Sequence, residues 1–224
     1  LLEVEKMYAP DGLISCLTCS WKRKFWLTIK WEKNGPPSVR SHPLESTFEI
    51  PDIKITRDSG RIPLVLDVTR RIKKAVGDRT ALYGLFCGPY TLASHLRGTN
   101  FFRDARQHPE YVKELMAYTT ELGLQMADFY LEEGVDVIVP VDPVVSQISQ
   151  PIKNFVFEPY AKIFGHIRNK GAFSSFFVCG NATHILELMC QTKPDSLAVD
   201  ENVNIVAAHK LTDSYDGAIG GGAQ

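Results

Sequence analysis

Along the chain, short runs of consecutive apolar residues alternate with longer stretches in which apolar side chains recur every three or four positions. The runs LISC at 13–16, ALYGLFC at 81–87, VDVIVPV at 135–141, SSFFVC at 174–179, SLAV at 196–199 and GAIGG at 217–221 predict strands. Most are apolar on successive residues rather than on every second one. Strands buried on both faces have that pattern, which belongs to parallel sheets covered by helices. Between them, residues 109–132 set Val112, Leu115, Met116, Thr119, Leu122, Met126, Phe129 and Tyr130 on one helical stripe, with Pro109 suited to the first turn and Gly134 just past the end. A second helix is expected from Pro159, carrying Tyr160, Ile163, Phe164 and Ile167 until Gly171, and a third after Asn181 as its N-cap. Residues 62–76 and 202–213 complete the alternation.

Repeated βα units build either an open doubly wound sheet or a closed (β/α)8 barrel. Periodicity supplies six strands where a barrel has eight. The expected fold class is α/β, a (β/α)8 TIM-type barrel incomplete in this chain, with residues 1–224 forming one domain that lacks its first and last strands. The stretch from Asn34 to Pro63, with prolines at 36, 37, 43 and 51, reads as an excursion between early elements.

Composition then narrows the partners. With 224 residues, 44% hydrophobic and 23% charged, the chain can bury one sizeable core. A formal net charge of -1 gives no reason to expect nucleic acid or an anionic membrane, and Lys22-Arg23-Lys24 reads as a solvated face. No apolar stretch approaches the roughly 20 residues that span a bilayer, and the early Glu3 and Glu5 do not suit a signal peptide, so a cytoplasmic protein is expected. Five cysteines, odd in number and mostly inside apolar runs, are expected as reduced thiols. Dinucleotide, Walker, GxSxG and HExxH motifs are absent.

In either architecture the chemistry gathers at the carboxyl ends of the strands. Cys16 and Cys19 follow the first run, Cys87-Gly88 ends the second, Asp142 follows VDVIVPV, Cys179-Gly180 ends SSFFVC, and Asp200 follows SLAV. Thiols and carboxylates therefore collect at one rim, where Cys87, Asp142, Cys179 and Asp200 are expected to line one cavity. A thiol at 179, beside the start of a helix, would be favoured as thiolate and could ligate a metal. Each residue also has a plainer reading: aspartates cap turns, and buried cysteines pack. The Cys16-x-x-Cys19 spacing suits zinc or redox chemistry, but no second CxxC follows.

Several spaced motifs, in order, carry a resemblance. GPYTLASHLRG at 88–98, the helix ending MADFYLEEG with VDVIVPVDPVVSQIS after it, FVFEPYAKIF at 155–164, VCGNAT at 178–183 and LAVDE at 197–201 resemble the uroporphyrinogen decarboxylase superfamily. The DP at 142–143 and the CGNAT turn are more similar to its cobamide-dependent branch, the methylcobamide:coenzyme M methyltransferase type. The resemblance covers the chain well from about residue 62 onward.

What the resemblance implies is a barrel whose mouth takes a tetrapyrrole-related ligand. In the methyltransferase branch a zinc ion, bound by a His-x-Cys pair and a later cysteine, activates an acceptor thiol, and a methyl group passes between that thiol and a corrinoid. Cys179 matches the cysteine of the pair and is the candidate metal ligand; position 177 should be histidine and is Phe177. Asp142 and Asp200 are the candidate acid–base groups, and Cys87 with Gly88 the candidate cofactor contacts. The implied partners are a corrinoid protein or free methylcobamide, a small methyl donor or acceptor, and a second copy of the chain in a homodimer. Decarboxylation of uroporphyrinogen is the alternative. It needs a carboxylate near the second strand to hold pyrrole N–H groups, and the matching stretch ISCLTCS has none. A non-catalytic binder of corrinoid or porphyrin follows if the ligand set fails.

Overall fold

The computed structural model describes residues 1–18, 27–30, 33, 38–148, 154–211 and 214–221. Along the chain run α1 (Leu2–Tyr8), β1 (Gly12–Thr18), β2 (Ile29–Lys30), β3 (Ser38–Val39), α2 (Ile62–Val76), β4 (Ala81–Cys87), α3 (Pro89–Arg97), α4 (Asn100–Gln107) and α5 (Pro109–Glu132). Then come β5 (Val137–Val141), α6 (Asn154–Asn169), β6 (Phe173–Val178), α7 (Leu186–Gln191), β7 (Ser196–Val199), α8 (Ile205–Leu211) and β8 (Ala218–Gly221). β2 and β3 form a small antiparallel pair. The other six strands lie side by side in the order β1-β4-β5-β6-β7-β8, every neighbouring pair parallel. Between successive strands of that sheet from β4 onward the chain passes through helix and returns to the adjacent position, which is the winding of a (β/α)8-type wall.

The central strands β4, β5 and β6 are buried on two sides by different partners. Leu82, Phe86, Ile138, Phe176, Val178, Leu197 and Val199 belong to the main core, shared with helix residues such as Val65, Leu115, Met126, Ile163 and Phe164. Leu85, Val137 and Val139 form a separate inner cluster, with Tyr83, Val141 and Phe177 packed against it. Two apolar faces explain the unbroken apolar runs. Gly84 lets α5 dock closely: an added Cβ would stand 2.8 Å from the Tyr130 ring, whose hydroxyl donates to the Leu85 carbonyl at 2.9 Å.

Some elements differ from expectation. The third long helix starts at Asn154 and carries Pro159 inside it. Asn181 accepts the Thr183 N–H at 3.2 Å, and a 3-10 turn at Thr183–Ile185 precedes α7. Helices α3 and α4 were not among the expected elements, and two of their buried positions are charged. Arg97 and Asp104 are 2% and 0% exposed and pair at 2.6 Å.

Arg97 does more than neutralise Asp104. Its guanidinium donates to the carbonyls of Leu44, Glu45 (3.2 Å) and Thr47 (2.8 Å), and lies 4.4 Å from the Phe48 ring centre and 5.1 Å from that of Tyr111. Asn100 adds a bond to Glu45 O at 3.0 Å. The proline-bearing excursion is thus fixed to the α3–α4 corner by this cation together with Asn100 and the Leu44 N–H bond to Leu96 O at 2.9 Å. No helix among the described residues is long and apolar enough to cross a membrane.

Removing the cation strands a buried carboxylate. Arg97→Met should cost about 3–5 kcal/mol in urea unfolding, and adding Asp104→Leu should recover only the share owed to the stranded carboxylate, because the carbonyls of Leu44, Glu45 and Thr47 lose their donor in both variants. A single-variant loss below about 1 kcal/mol, typical of exposed pairs, would contradict this account.

Candidate functional site

Alternation along β5 sends Val137, Val139 and Val141 to the inner face, and Ile138, Pro140 and then Asp142 toward the helices. Asp142 is fully buried. Its carboxylate accepts the N–H groups of Tyr90 at 3.0 Å and Thr91 at 2.8 Å, the Thr91 hydroxyl and the Tyr160 hydroxyl. Tyr90 and Thr91 open α3, whose own N-cap, Gly88, has no side chain to offer. Asp142 therefore caps α3 from another strand, placing a negative charge where the helix dipole favours one. Thr91 closes the arrangement by accepting the Val144 N–H at 3.1 Å. Tyr160 is held by stacking on Phe176, with ring centres 4.2 Å apart.

Gly88 and Cys87 serve the same corner. A Cβ on Gly88 would stand 2.6 Å from Asp142 Cβ and 2.7 Å from its Cγ, so glycine is there for closeness to the carboxylate. Cys87 is buried in the main core, its thiol 3.8 Å from the Gly88 carbonyl. Burial pushes the Asp142 carboxyl up to about 6, against the opposing pull of the Thr91 and Tyr160 hydroxyls and the two amides. Burial, and then the Asp142 charge, holds the Tyr160 phenol well above its ordinary range.

Cys179 and Asp200 go the other way. Alternation places Cys179 one step beyond Val178 with Phe177 and Ser175, and Asp200 one step beyond Val199 with Ala198 and Ser196, on the inner side of the sheet. Both are half-buried. Asp200 accepts the Gly180 N–H, and the Asn202 N–H and side-chain amide at 2.9 and 3.0 Å. Those amides, Gly180 foremost, hold its carboxyl below the usual carboxylate range. Gly180 has φ +82, a left-handed conformation that glycine adopts without strain. The bond between Gly180 and Asp200 joins the ends of β6 and β7 and fixes the turn that carries Cys179.

The four rim residues thus share the carboxyl end of the sheet but divide between its two sides. Asp142 turns to the helix layer, and Cys179 and Asp200 to the interior; Cys87, in register with Val141 and two residues beyond Leu85, ends an inner-facing row yet is buried in the main core. Burial first, then the charges of Asp200, Glu201 and Asp142, push the Cys179 thiol up, and a 3-10 turn rather than an α-helix start follows it.

The residues do not fit a zinc centre at β6. Phe177 offers no donor, Asp200 is occupied by three N–H groups, and among the described residues no three His, Cys, Asp or Glu side chains are grouped to hold a metal ion. Cys19 and the side chain of Cys16 lie outside the described residues. A cavity of about 940 Å³ opens at the opposite, amino end of β6–β8, lined by Phe173, Asp195 and Gly217. Two of its polar groups are engaged with the protein: Asp195 accepts from the Ser174 N–H and hydroxyl, and Arg168 donates to Lys193 O at 2.5 Å. Tyr160 and Thr91 were not singled out in the sequence, although both stand in the motifs EPY and GPYT.

The model of the uroporphyrinogen decarboxylase (URO-D) family matches residues 10–220. The methylcobamide:CoM methyltransferase MtbA of Methanosarcina acetivorans is 27% identical over 189 residues, which cover 82% of this chain and 54% of that protein. MtaA of Methanosarcina barkeri, also a methylcobamide:CoM methyltransferase, is 26% identical over 182 residues, 80% of this chain and 53% of its own. A uroporphyrinogen decarboxylase of Anaeromyxobacter sp. is 23% identical over 188 residues, 81% of this chain and 54% of its own. The chain spans about half the length of these curated relatives. A solved methyltransferase from Methanosarcina mazei superposes with a TM-score of 0.84 at 23% identity, covering 98% of this chain and 67% of that one. At that identity the likeness is one of fold.

Two measurements probe the Asp142 corner. Gly88→Ala should destabilise by about 1–3 kcal/mol through overpacking against the carboxylate; an unchanged urea midpoint would show that the contact relaxes freely. For pH, the unfolded chain releases the Asp142 proton near about 4, whereas the folded chain holds it to about 6. The folded state binds the extra proton between those values. Its contribution is therefore full below about pH 4 and is lost as pH rises through 6. Stability relative to Asp142→Asn should fall across that window, and a carboxyl NMR titration should show the midpoint near 6. A midpoint below the ordinary aspartate range would mean that the four donors outweigh burial.

Proposed function

The chain belongs to the uroporphyrinogen decarboxylase family, and from that premise we propose that the protein is an enzyme moving a methyl group between a methylcobamide and a small thiol or methylated compound. The observation that carries this reading is the similarity to MtbA and MtaA across four-fifths of the chain. The inner face agrees with it. Tyr83, Leu85, Val137, Val139, Val141 and Phe177 make a continuous apolar wall below the rim, a surface suited to the flat face of a corrin ring and to excluding water from the methyl group.

In this reading the chain's own residues position rather than react. Asp142, with Thr91 and Tyr160, fixes α3 against the end of β5 and so sets the shape of one wall. Asp200 stays ionised, holds Gly180, and aims Cys179 at the interior. When methyl moves from the corrinoid to a thiol, the new S–C bond forms as the Co–C bond breaks with its electron pair left on cobalt, and the thiol proton passes to solvent. The chemistry a zinc ion would supply, lowering the acceptor thiol's proton affinity, is not assigned to the β6 residues, which do not fit that ion.

The test is direct. Full-length protein incubated with methylcobalamin and a thiol such as 2-mercaptoethanol or coenzyme M should demethylate the corrinoid, seen as loss of the methylcobalamin absorbance and appearance of a thioether. Inert methylcobalamin together with loss of carboxyl groups from uroporphyrinogen would replace this reading with decarboxylation.

A further inference from the structure

Positions 177 and 179 lie two apart on one strand and so face the same side, a spacing at which two donors can hold one ion. Here the first of them is an aromatic ring. Phe177 pairs in register with Val141 on one side and Ala198 on the other, and neither neighbour supplies a lone pair in its place. Its ring packs on the inner apolar cluster and remains half-buried, so part of it still faces the interior. The carboxylate of Asp200, beyond the end of β7, holds the β6–β7 turn through Gly180 and Asn202.

We infer that Phe177 makes the inner end of β6 an apolar contact surface for the flat ring of a ligand in place of a metal-binding one, and so determines what the mouth accepts. The ligand named here, a planar corrinoid, rests on the function proposed above. The misfit to a metal ion follows from the residues of β6 and their neighbours alone. An aromatic face offers such a ring stacking in addition to area burial, while a single thiol with no second donor beside it on the strand holds zinc poorly.

The two halves are tested on the full-length protein by separate readouts. The first is the zinc retained after dialysis that depends on Cys179, measured by elemental analysis of the wild type, Cys179→Ser, Phe177→His and Phe177→His with Cys179→Ser. The wild type should retain no zinc that Cys179→Ser removes. Phe177→His should gain Cys179-dependent zinc, with affinity raised on the order of tenfold or more, since even outer-shell partners of a metal site are worth about 10–100-fold. The second is binding of hydroxocobalamin by absorbance titration. Phe177→Leu, confirmed folded by circular dichroism, should weaken it about two- to tenfold, the range an aromatic stacking contact supplies.

Wild-type zinc lost on Cys179→Ser, no gain in Phe177→His, or unchanged cobalamin binding in Phe177→Leu would each overturn the inference. Absence of hydroxocobalamin binding by the wild type would overturn the corrinoid reading instead, and the zinc measurements alone would then decide the status of position 177.

Discussion

Side chains on a strand alternate between two faces, and at the rim of a parallel sheet that alternation decides whether a polar group meets the helices or the interior. In this chain the rule separates residues that composition alone would put together. Asp142 and Asp200 are both aspartates one step beyond a strand, yet the first is sealed among α3 and α6 and the second stands at the inner rim. Their hydrogen-bond partners follow from the side they take. So do the opposite directions in which their carboxyls are shifted: burial governs Asp142, and amide donation governs Asp200.

Two buried charges tie irregular chain to regular structure. Asp142 holds the start of α3, and Arg97, at the other end of the same helix, holds the 44–47 carbonyls. Burying an ion is costly unless each of its hydrogen-bonding positions is used. Asp142 offsets that cost with four donors, and Arg97 with a carboxylate, three carbonyls and two aromatic faces. α3 is thereby clamped at both ends, so the wall it forms beside β4 and β5 is set by polar geometry as well as by packing. Among the described residues, Asp104 Oδ1, Tyr90 Oη and Tyr111 Oη are buried side-chain atoms near this helix without a hydrogen-bond partner, Arg103 Nε standing 3.9 Å from Asp104 Oδ1.

The sheet was legible because its strands are apolar on successive positions, which only a two-sided burial explains. β4 and β7 appear at the expected bounds, and β5 and β6 within two residues of them. α3 and α4 were not among the expected elements, and Arg97 and Asp104 within them are buried although their charge would place them outside. The positions of Cys87, Asp142, Cys179 and Asp200 at the carboxyl ends of the strands were legible. Their division between two faces was also present in the sequence, in the spacing of Ile138, Pro140 and Asp142 against Val137, Val139 and Val141. What the sequence could not carry was the identity of the groups that Asp142 meets. Thr91 and Tyr160 approach it from remote parts of the chain, and no local pattern announces such a meeting.

The close approach of Gly88 to Asp142 has a consequence on an evolutionary scale. The space between β4's end and β5's end is filled by the carboxylate, so the two positions form one volume shared between distant codons. A descendant that acquires a side chain at 88 must shorten or redirect the one at 142. A descendant that loses the aspartate opens a void that a larger residue at 88 can fill, though only a side chain with an oxygen could still cap α3. Drift at either position is therefore conditional on the other, and compensated pairs are the permitted path through that part of sequence space.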